Sequence, residues 1–272
     1  MKQTIAVLLF LLNFTPGIIL AQQISQSFVT DCGFEGSITL YDSKNDRWLF
    51  SDSADAMIQM LPASSFKILN SLIVLEEGVV KDENEKVKWD GRDRGFEDWN
   101  RELSVKEAFR VSAAWVYQKL ALKIPAEKYK YYLEQCEYGN KNTGRYIDSF
   151  WLDGSLKVSP VEQISFLKRL KTGDLPFSPE TIDKVREIMI AAEAPGYVLR
   201  GKTGWGRVDG RDTGWWVGYI ETADNTVWFA TRLKKDTDNK NPDFPGCRKS
   251  ITEKVLTALG YIPSLSEGSG KK

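Results

Sequence analysis

The sequence predicts an α/β protein of the α+β type, in which both ends of the chain contribute to one antiparallel sheet. Alternating apolar positions and turn residues predict a hairpin over 36–41 and 48–50 and a meander of strands over 198–233. Between these segments, residues 62 to about 189 carry apolar positions at helical spacing, and 247–259 resembles a closing helix. We therefore expect a mostly helical region inserted into the sheet, with a cleft between the two parts.

This pattern divides the chain into four parts. Residues 22–61 and 196–263 are expected to form the sheet with its flanking helices, and residues 62–195 the mostly helical region. Residues 1–21 are typical of a secretory signal peptide, and 264–272 of a disordered polar tail. The length suits one large domain or two intergrown ones.

The signal peptide is predicted from Lys2, the apolar stretch that follows it, and small residues around Ala21. A membrane anchor is the alternative, although Pro16 and Gly17 interrupt the apolar run, which is short for a membrane span. Cleavage would leave a periplasmic protein of a Gram-negative cell with no stable membrane anchor.

The composition excludes several classes of function. The chain has no histidine, so a hydrolase of this sequence cannot use a Ser-His-Asp triad or a His-ligated zinc. Its 37 basic and 37 acidic residues balance, which leaves no electrostatic footprint for nucleic acid. Cys32, Cys136 and Cys247 lack metal-ligand spacing. At most one pair can form a disulfide, and we expect buried free thiols and no metal.

Ser64 and Lys67 are the first candidate catalytic residues. Without histidine, the remaining common route to an activated serine is a lysine base. Three residues apart on a helix, the two side chains share one face, and Pro62 suits the first turn of that helix. Ser64 would then lie at the positive helix end, where N–H groups can hold an oxyanion. Two further Ser-x-x-Lys sequences, at 165–168 and 269–272, lie on an ordinary amphipathic stripe and in the polar tail.

Lys202, followed by Thr203 and Gly204, is the second candidate. The strand pattern around it predicts that its ammonium projects beside the cleft. The same tripeptide at 171–173 follows a helical stretch and precedes Pro176, which indicates a helix C-cap instead.

Ser112 is the third candidate. Ser104 and Glu107 have capping-box spacing, and the helix that they begin would place Ser112 on its buried apolar face, between Phe109 and Val116. An unsatisfied hydroxyl there costs roughly 1–3 kcal/mol. Its hydroxyl either bonds back to the preceding turn or shuttles protons between the two lysines and a substrate.

Together these motifs resemble the class D, or oxacillinase-type, serine β-lactamases from about residue 30 to residue 263. The matching blocks follow in the family's order: Pro62 to Lys67, Trp89-Asp90-Gly91, Trp99-Asn100, Ser112 to Gln118, Tyr138-Gly139-Asn140, Trp151 to Gly154, Gln163 to Leu167, Lys202 to Trp205, and Arg248. Two positions depart from the family pattern, since Ser65 replaces threonine and Ala114 replaces valine.

The resemblance implies a catalytic role for five residues. Ser64 attacks the β-lactam carbonyl, and Lys67, carboxylated by carbon dioxide or bicarbonate to N6-carboxylysine, is the general base. Trp151 holds the carbamate through its indole N–H, and Ser112 and Lys202 shuttle protons. The surrounding apolar residues agree with this, because desolvation lowers the pKa of a lysine and leaves a neutral amine that can capture carbon dioxide.

The resemblance also implies the substrate-binding residues. The N–H of Trp205 joins that of the nucleophile in an oxyanion hole, Thr203 and Arg248 bind the substrate carboxylate, and Leu152 and Ala114 belong to the same pocket. Arg248 has no acidic residue within four positions, which is consistent with a guanidinium reserved for a substrate.

The expected activity is hydrolysis of β-lactam antibiotics by a monomer or homodimer. Two alternatives share the pocket: a β-lactam sensor domain that retains the acyl group, and a D,D-peptidase or transpeptidase acting on peptidoglycan stems. Sensors sit behind several membrane spans, and peptidases lack the support for a carbamate that residues 151–154 imply.

Overall fold

The computed structural model describes residues 22–263, so the predicted signal peptide and polar tail lie outside the described residues. Within them, the strands are β1 (Gln22–Gln23), β2 (Glu35–Asp42), β3 (Arg47–Phe50), β4 (Lys86–Val87), β5 (Leu103–Ser104), β6 (Ile190–Ala194), β7 (Tyr197–Val208), β8 (Arg211–Glu221) and β9 (Thr226–Asp236). The helices are α1 (Ser27–Thr30), α2 (Lys67–Glu76), α3 (Val105–Val111), α4 (Ala114–Ala121), α5 (Ala126–Gln135), α6 (Pro160–Thr172), α7 (Pro179–Ile188) and α8 (Phe244–Ala258). None of these helices is long and apolar enough to cross a membrane.

One sheet organises the described part of the chain and confirms the predicted α+β class. Its strands run in the order β1-β3-β2-β9-β8-β7-β6, so both ends of the chain supply neighbouring strands. Every pair in it is antiparallel except β1 and β3, which are parallel. Strand β6 lies inside the residues that we expected to be mostly helical.

Helices cover both faces of the sheet centre. The first face packs against α6 and the rest of the inserted helices, and the second against α1 and α8. Nearly every residue of β8 and β9 is therefore buried, on both faces. This explains why their sequences form continuous apolar runs instead of an alternation.

The caps of the inserted helices were largely predictable. Ser104 and Glu107 form the predicted capping box at the start of α3, and Gly173, with a φ of 77°, ends α6 as its sequence indicated. However, the predicted continuous helix through Ser112 and Val116 is wrong. Helix α3 ends at Val111, and α4 begins at Ala114.

Ser112 breaks the helix because it adopts the left-handed conformation, with a φ of 61°. Its N–H donates to the Phe109 carbonyl, and the Ala113 N–H donates to the Ala108 carbonyl. These two bonds form a Schellman motif, in which glycine usually occupies the left-handed position. A serine there gave no stop signal, and such a backbone at a non-glycine residue is strained.

The expectation of free thiols is wrong for two of the three cysteines. Cys32 and Cys247 form a disulfide across a separation of 215 residues, whereas Cys136 is a buried free thiol. Spacing could not reveal this bond, because only the sheet brings α1 and α8 together. Burial raises the pKa of the Cys136 thiol to about 12, so it stays protonated.

Candidate active site

Ser64 lies on a short 3-10 turn, Ala63–Phe66, that leads directly into α2. It therefore precedes the α-helix instead of lying inside it, and Lys67 is the first residue of α2. Lys67 Nζ donates to Ser64 Oγ over 2.8 Å. The turn is fixed from outside, because the Ala63 N–H donates to the carbonyl of Trp151.

Lys67 is fully buried, although its amino group carries a charge in water. Within residues 22–263 no carboxylate lies within ion-pair distance of Nζ, and its near neighbours include the Tyr117 ring, 5.2 Å away. Burial consequently lowers the pKa of Lys67 to about 7. A large share of the amine is neutral near that pH, and a neutral amine has a lone pair that can accept a proton.

Trp151 provides an unused hydrogen-bond donor in the same region. Its ring is fully buried, stacks on Phe66 at 5.5 Å between centroids and meets Phe150 edge-on. Among the described residues, its indole Nε1–H has no acceptor. Leaving a buried donor unpaired costs roughly 1–3 kcal/mol, so this N–H fits an acceptor that residues 22–263 do not supply.

Lys202 and Ser112 form a second serine–lysine pair. Lys202 Nζ, on β7, donates to Ser112 Oγ over 3.0 Å and to the Thr203 carbonyl over 3.1 Å. Burial lowers the pKa of Lys202 well below its ordinary value, and the nearby positive charges of Lys67 and Arg248 lower it further. The Ser112 hydroxyl therefore faces β7 of the sheet.

The edge of β7 runs against the turn Ala63–Phe66, which we call the nucleophile turn because it carries Ser64, the predicted nucleophile. A Cβ built on Gly204 would lie 2.7 Å from the Pro62 carbonyl oxygen, so glycine permits this approach. The Gly201 N–H points away from β8, since it donates to Met189. N–H directions alternate along a strand, so the N–H of Trp205, four residues later, also points out of the sheet, on the side of the cleft.

Arg248 lies within α8, which begins three residues earlier than the predicted closing helix. Its side chain is buried, with 6% of the residue exposed, and donates to the carbonyls of Gly204 and Pro245. No carboxylate of residues 22–263 forms an ion pair with it. Burial lowers the pKa of Arg248 to about 10, so the guanidinium remains charged at neutral pH.

A cavity of 540 Å³ lies between Ser64 and Arg248. Its lining includes five predicted site residues, Ser64, Ser112, Thr203, Trp205 and Arg248, together with Phe96, Trp99 and Arg207. A larger cavity of 610 Å³ is lined by Lys202 and Thr203 but not by Ser64.

Five predicted site residues do not line this smaller cavity. Lys67 and Trp151 are buried, Lys202 lines the larger cavity, Ala114 is half-buried at the start of α4, and Leu152 is half-buried against the main core. A ligand in the smaller cavity can therefore touch only some of the predicted site residues.

Gln163 supports the nucleophile turn, a role that sequence reasoning did not assign. It is fully buried on α6, where its Nε2 donates to Ser65 Oγ over 2.8 Å. Ser65 Oγ in turn donates to the Pro62 carbonyl, and Tyr138 donates to Gln163 Oε1. The sequence signals were an amide within an otherwise apolar helix stripe and the family block that begins at Gln163, and neither indicated this contact.

Comparisons with known proteins agree with this geometry. Residues 35–253 match the family described as the penicillin binding protein transpeptidase domain. A class D beta-lactamase from Sebaldella termitidis is 45% identical, with a TM-score of 0.85, and the match covers 89% of this chain and 99% of that one. Beta-lactamase OXA-48 of Klebsiella pneumoniae is 37% identical over 84% of this chain and 85% of its own length. The C-terminal domain of the Bacillus licheniformis BlaR penicillin-receptor is 29% identical, with a TM-score of 0.83 over 89% of this chain and 97% of that one.

Replacing Gly204 tests the close approach of β7 to the nucleophile turn. Gly204→Ala should lower the free energy of unfolding by about 1–3 kcal/mol, because the new methyl group overlaps backbone atoms. Gly246→Ala is the matched control, since nothing lies within 4 Å of its Cβ position. Urea denaturation measures both, and equal stability of the two variants would contradict the packing described here.

Proposed function

The chain belongs to the class D serine β-lactamases, and on this premise we propose the roles of its site residues in hydrolysing the β-lactam amide of penicillins and related antibiotics. The contact between the half-buried Ser64 and the buried Lys67 carries the proposal. It places a nucleophile that lines a substrate-sized cavity 2.8 Å from an amine whose pKa is lowered to about 7.

In acylation, Ser64 Oγ attacks the carbonyl carbon of the β-lactam and gives its proton to the general base at Lys67. The carbonyl oxygen gains negative charge between the N–H groups of Ser64 and Trp205. As the ring C–N bond breaks, the nitrogen takes a proton from the Ser112 hydroxyl, and Lys202 replaces that proton. An ammonium with a lowered pKa is a stronger acid, which suits Lys202 to this step.

The surroundings of Lys67 fit its carboxylation by carbon dioxide. The neutral amine is the reactive form, and the unpaired Trp151 indole N–H and the Ser64 hydroxyl would hold the resulting anion. Carboxylated Lys67 supplies an oxygen that acts as general base for both acylation and deacylation. A plain neutral lysine is the alternative base.

Deacylation releases the product. Before this step the proton taken by the base at Lys67 passes to the solvent, and Lys202 regains its proton from the solvent. Water then attacks the ester carbonyl of the acyl-enzyme and gives one proton to the base at Lys67. That proton passes to Ser64 Oγ as the acyl C–O bond breaks, and the product leaves as a carboxylic acid. The oxyanion forms between the same two N–H groups as in acylation.

Arg248 and Thr203 bind the carboxylate of the antibiotic. Both line the cavity, and Arg248 lacks a carboxylate partner within residues 22–263. A guanidinium that is buried and charged matches a carboxylate in both charge and hydrogen-bonding geometry.

We further propose that residues 1–21 are a cleaved signal peptide and that the mature enzyme works in the periplasm of a Gram-negative cell. The Cys32–Cys247 disulfide supports export, because such bonds persist in oxidising compartments and are rare in the cytosol. N-terminal sequencing of the secreted protein tests the cleavage site.

A β-lactam sensor is the second candidate, favoured only by the likeness to the BlaR penicillin-receptor domain. Mixing the protein with a chromogenic cephalosporin separates the two functions. A hydrolase turns over many equivalents, whereas a sensor stops after one because it retains the acyl group. A single-turnover burst would therefore contradict the proposed function.

Removing the nucleophile gives the first test of these roles. Ser64→Ala should abolish acylation, because among residues 22–263 Ser64 alone has a hydroxyl bonded to Lys67. Mass spectrometry after incubation with penicillin should show the adduct on the parent protein and none on the variant. An adduct on another serine of the variant would overturn the assignment.

The pH dependence tests carboxylation of Lys67. Since the pKa of Lys67 is lowered to about 7, the reactive neutral amine is abundant above that pH and is lost below it. We expect slow loss of activity on acidification of carbon dioxide-depleted enzyme and recovery on adding bicarbonate. Steady-state rates with and without bicarbonate measure this, and indifference to bicarbonate would favour the plain lysine.

Ala114, the first residue of α4, tests whether the packing of α4 against α2 affects carboxylation of Lys67. The valine of the family pattern adds two methyl carbons, worth at most about 1.5 kcal/mol of apolar contact and less at this half-buried position. Because looser packing admits water that favours the ammonium, Ala114→Val should lower the bicarbonate concentration needed for half-maximal activity, with little change in KM. If both proteins need the same bicarbonate concentration, alanine at this position is a tolerated packing change without effect on carboxylation.

A further inference from the structure

The segment after α1 is fastened to the beginning of α8 at two points. Cys32 is bonded to Cys247, and the Phe34 ring meets the Phe244 ring edge-on at 5.1 Å between centroids. We call Cys32 and Phe34, with the disulfide, the N-terminal clamp.

The clamp holds the turn of α8 that carries Arg248. Cys247 is the preceding residue, and Phe244 lies one helical turn before Arg248, on the same face. The side chains of Phe244 and Arg248 pack over Gly214 of β8, where a Cβ would lie 2.8 Å from Phe244 and 2.9 Å from Arg248. The Phe244 ring also lies 5.4 Å from the Trp205 ring, so the clamp reaches two residues that line the cavity.

Arg248 needs such restraint because its surroundings in the free enzyme do not neutralise it. It is charged and buried, yet within residues 22–263 it donates to the carbonyls of Gly204 and Pro245 and has no carboxylate partner. Desolvation of an unpaired cation favours movement towards water. Hydrogen bonds to two carbonyls oppose this movement only while α8 keeps its position against β7 and β8.

We propose that the N-terminal clamp positions Arg248 for the substrate carboxylate, so that Cys32, Cys247 and Phe34 determine recognition of the acidic group without touching it. The inference rests on the proposed role of Arg248. Preorganisation of this kind acts on binding, because a loosened guanidinium must be ordered again by each substrate. It leaves Ser64, Lys67 and the bond-breaking steps unchanged.

The test compares a chromogenic cephalosporin with its methyl ester, which lacks the carboxylate charge. The proteins are the oxidised parent, the phosphine-reduced parent, Cys32→Ser, Phe34→Leu and Arg248→Ala, with the double variant Cys32→Ser/Arg248→Ala. Cys136→Ala is the matched control, because it removes a cysteine outside the disulfide. Thermal melts set an assay temperature at which every protein is folded.

Loss of the disulfide should raise KM for the acid roughly 3- to 10-fold, with kcat nearly constant and the ester unaffected. Reoxidation should restore the parent value, Phe34→Leu should give a smaller effect, and Cys136→Ala none. The double variant should match Arg248→Ala alone, because a misplaced side chain and an absent one bind equally poorly.

Several results would overturn the inference. If loss of the clamp changes KM equally for the cephalosporin and its methyl ester, or leaves KM for the cephalosporin unchanged, the clamp only stabilises the fold. Additive effects on KM in the double variant would lead to the same conclusion. If Cys32→Ser does not fold, the reduced parent and Phe34→Leu decide by the same criteria. If Arg248→Ala raises KM for the cephalosporin and loss of the clamp does not, only the proposal about the clamp is wrong. If Arg248→Ala leaves this KM unchanged, the proposed role of Arg248 in binding the carboxylate is wrong as well.

Discussion

Burial of the Lys67 amino group, with no carboxylate partner among residues 22–263, is the constraint on which the active site depends. An ion pair would have stabilised the ammonium and left no lone pair for chemistry. Instead, α2 runs through the core with its first eight residues buried, and the aromatic rings of Phe66, Tyr117 and Trp151 help to keep water away from this part of the site. Because burial disfavours the charged form of the amine, the pKa of Lys67 is lowered, and a neutral amine becomes available beside Ser64.

Two serine–lysine pairs meet because the sheet edge and the helical insert approach very closely. One pair, Ser64 with Lys67, belongs to the insert, whereas Lys202 reaches from β7 to Ser112. Gly204 permits the backbones to touch. The lysines also influence one another, since the charge on Lys67 lowers the pKa of Lys202, so protonation of the two pairs is coupled.

Elements that depend on local sequence patterns could be predicted from the sequence. Continuous apolar strands predicted the meander that carries Lys202, and Ser104 with Glu107 predicted the start of α3. The sequence could not predict features that depend on tertiary contact or on unusual backbone geometry. Serine in place of glycine hid the Schellman motif at Ser112, and the Cys32–Cys247 bond joins ends that only the sheet brings together. Likewise, Gln163 acts through Ser65, nearly a hundred positions away, and no spacing rule connects them.

The central claim is that burial leaves Lys67 neutral enough to capture carbon dioxide, and carbon-13 NMR in labelled bicarbonate tests it directly. The parent enzyme at mildly alkaline pH should show a protein-bound carbamate carbon that is absent from Lys67→Met. That resonance should disappear reversibly on mild acidification and weaken in Trp151→Phe, which loses the unpaired indole donor. A parent spectrum indistinguishable from that of Lys67→Met would contradict the claim.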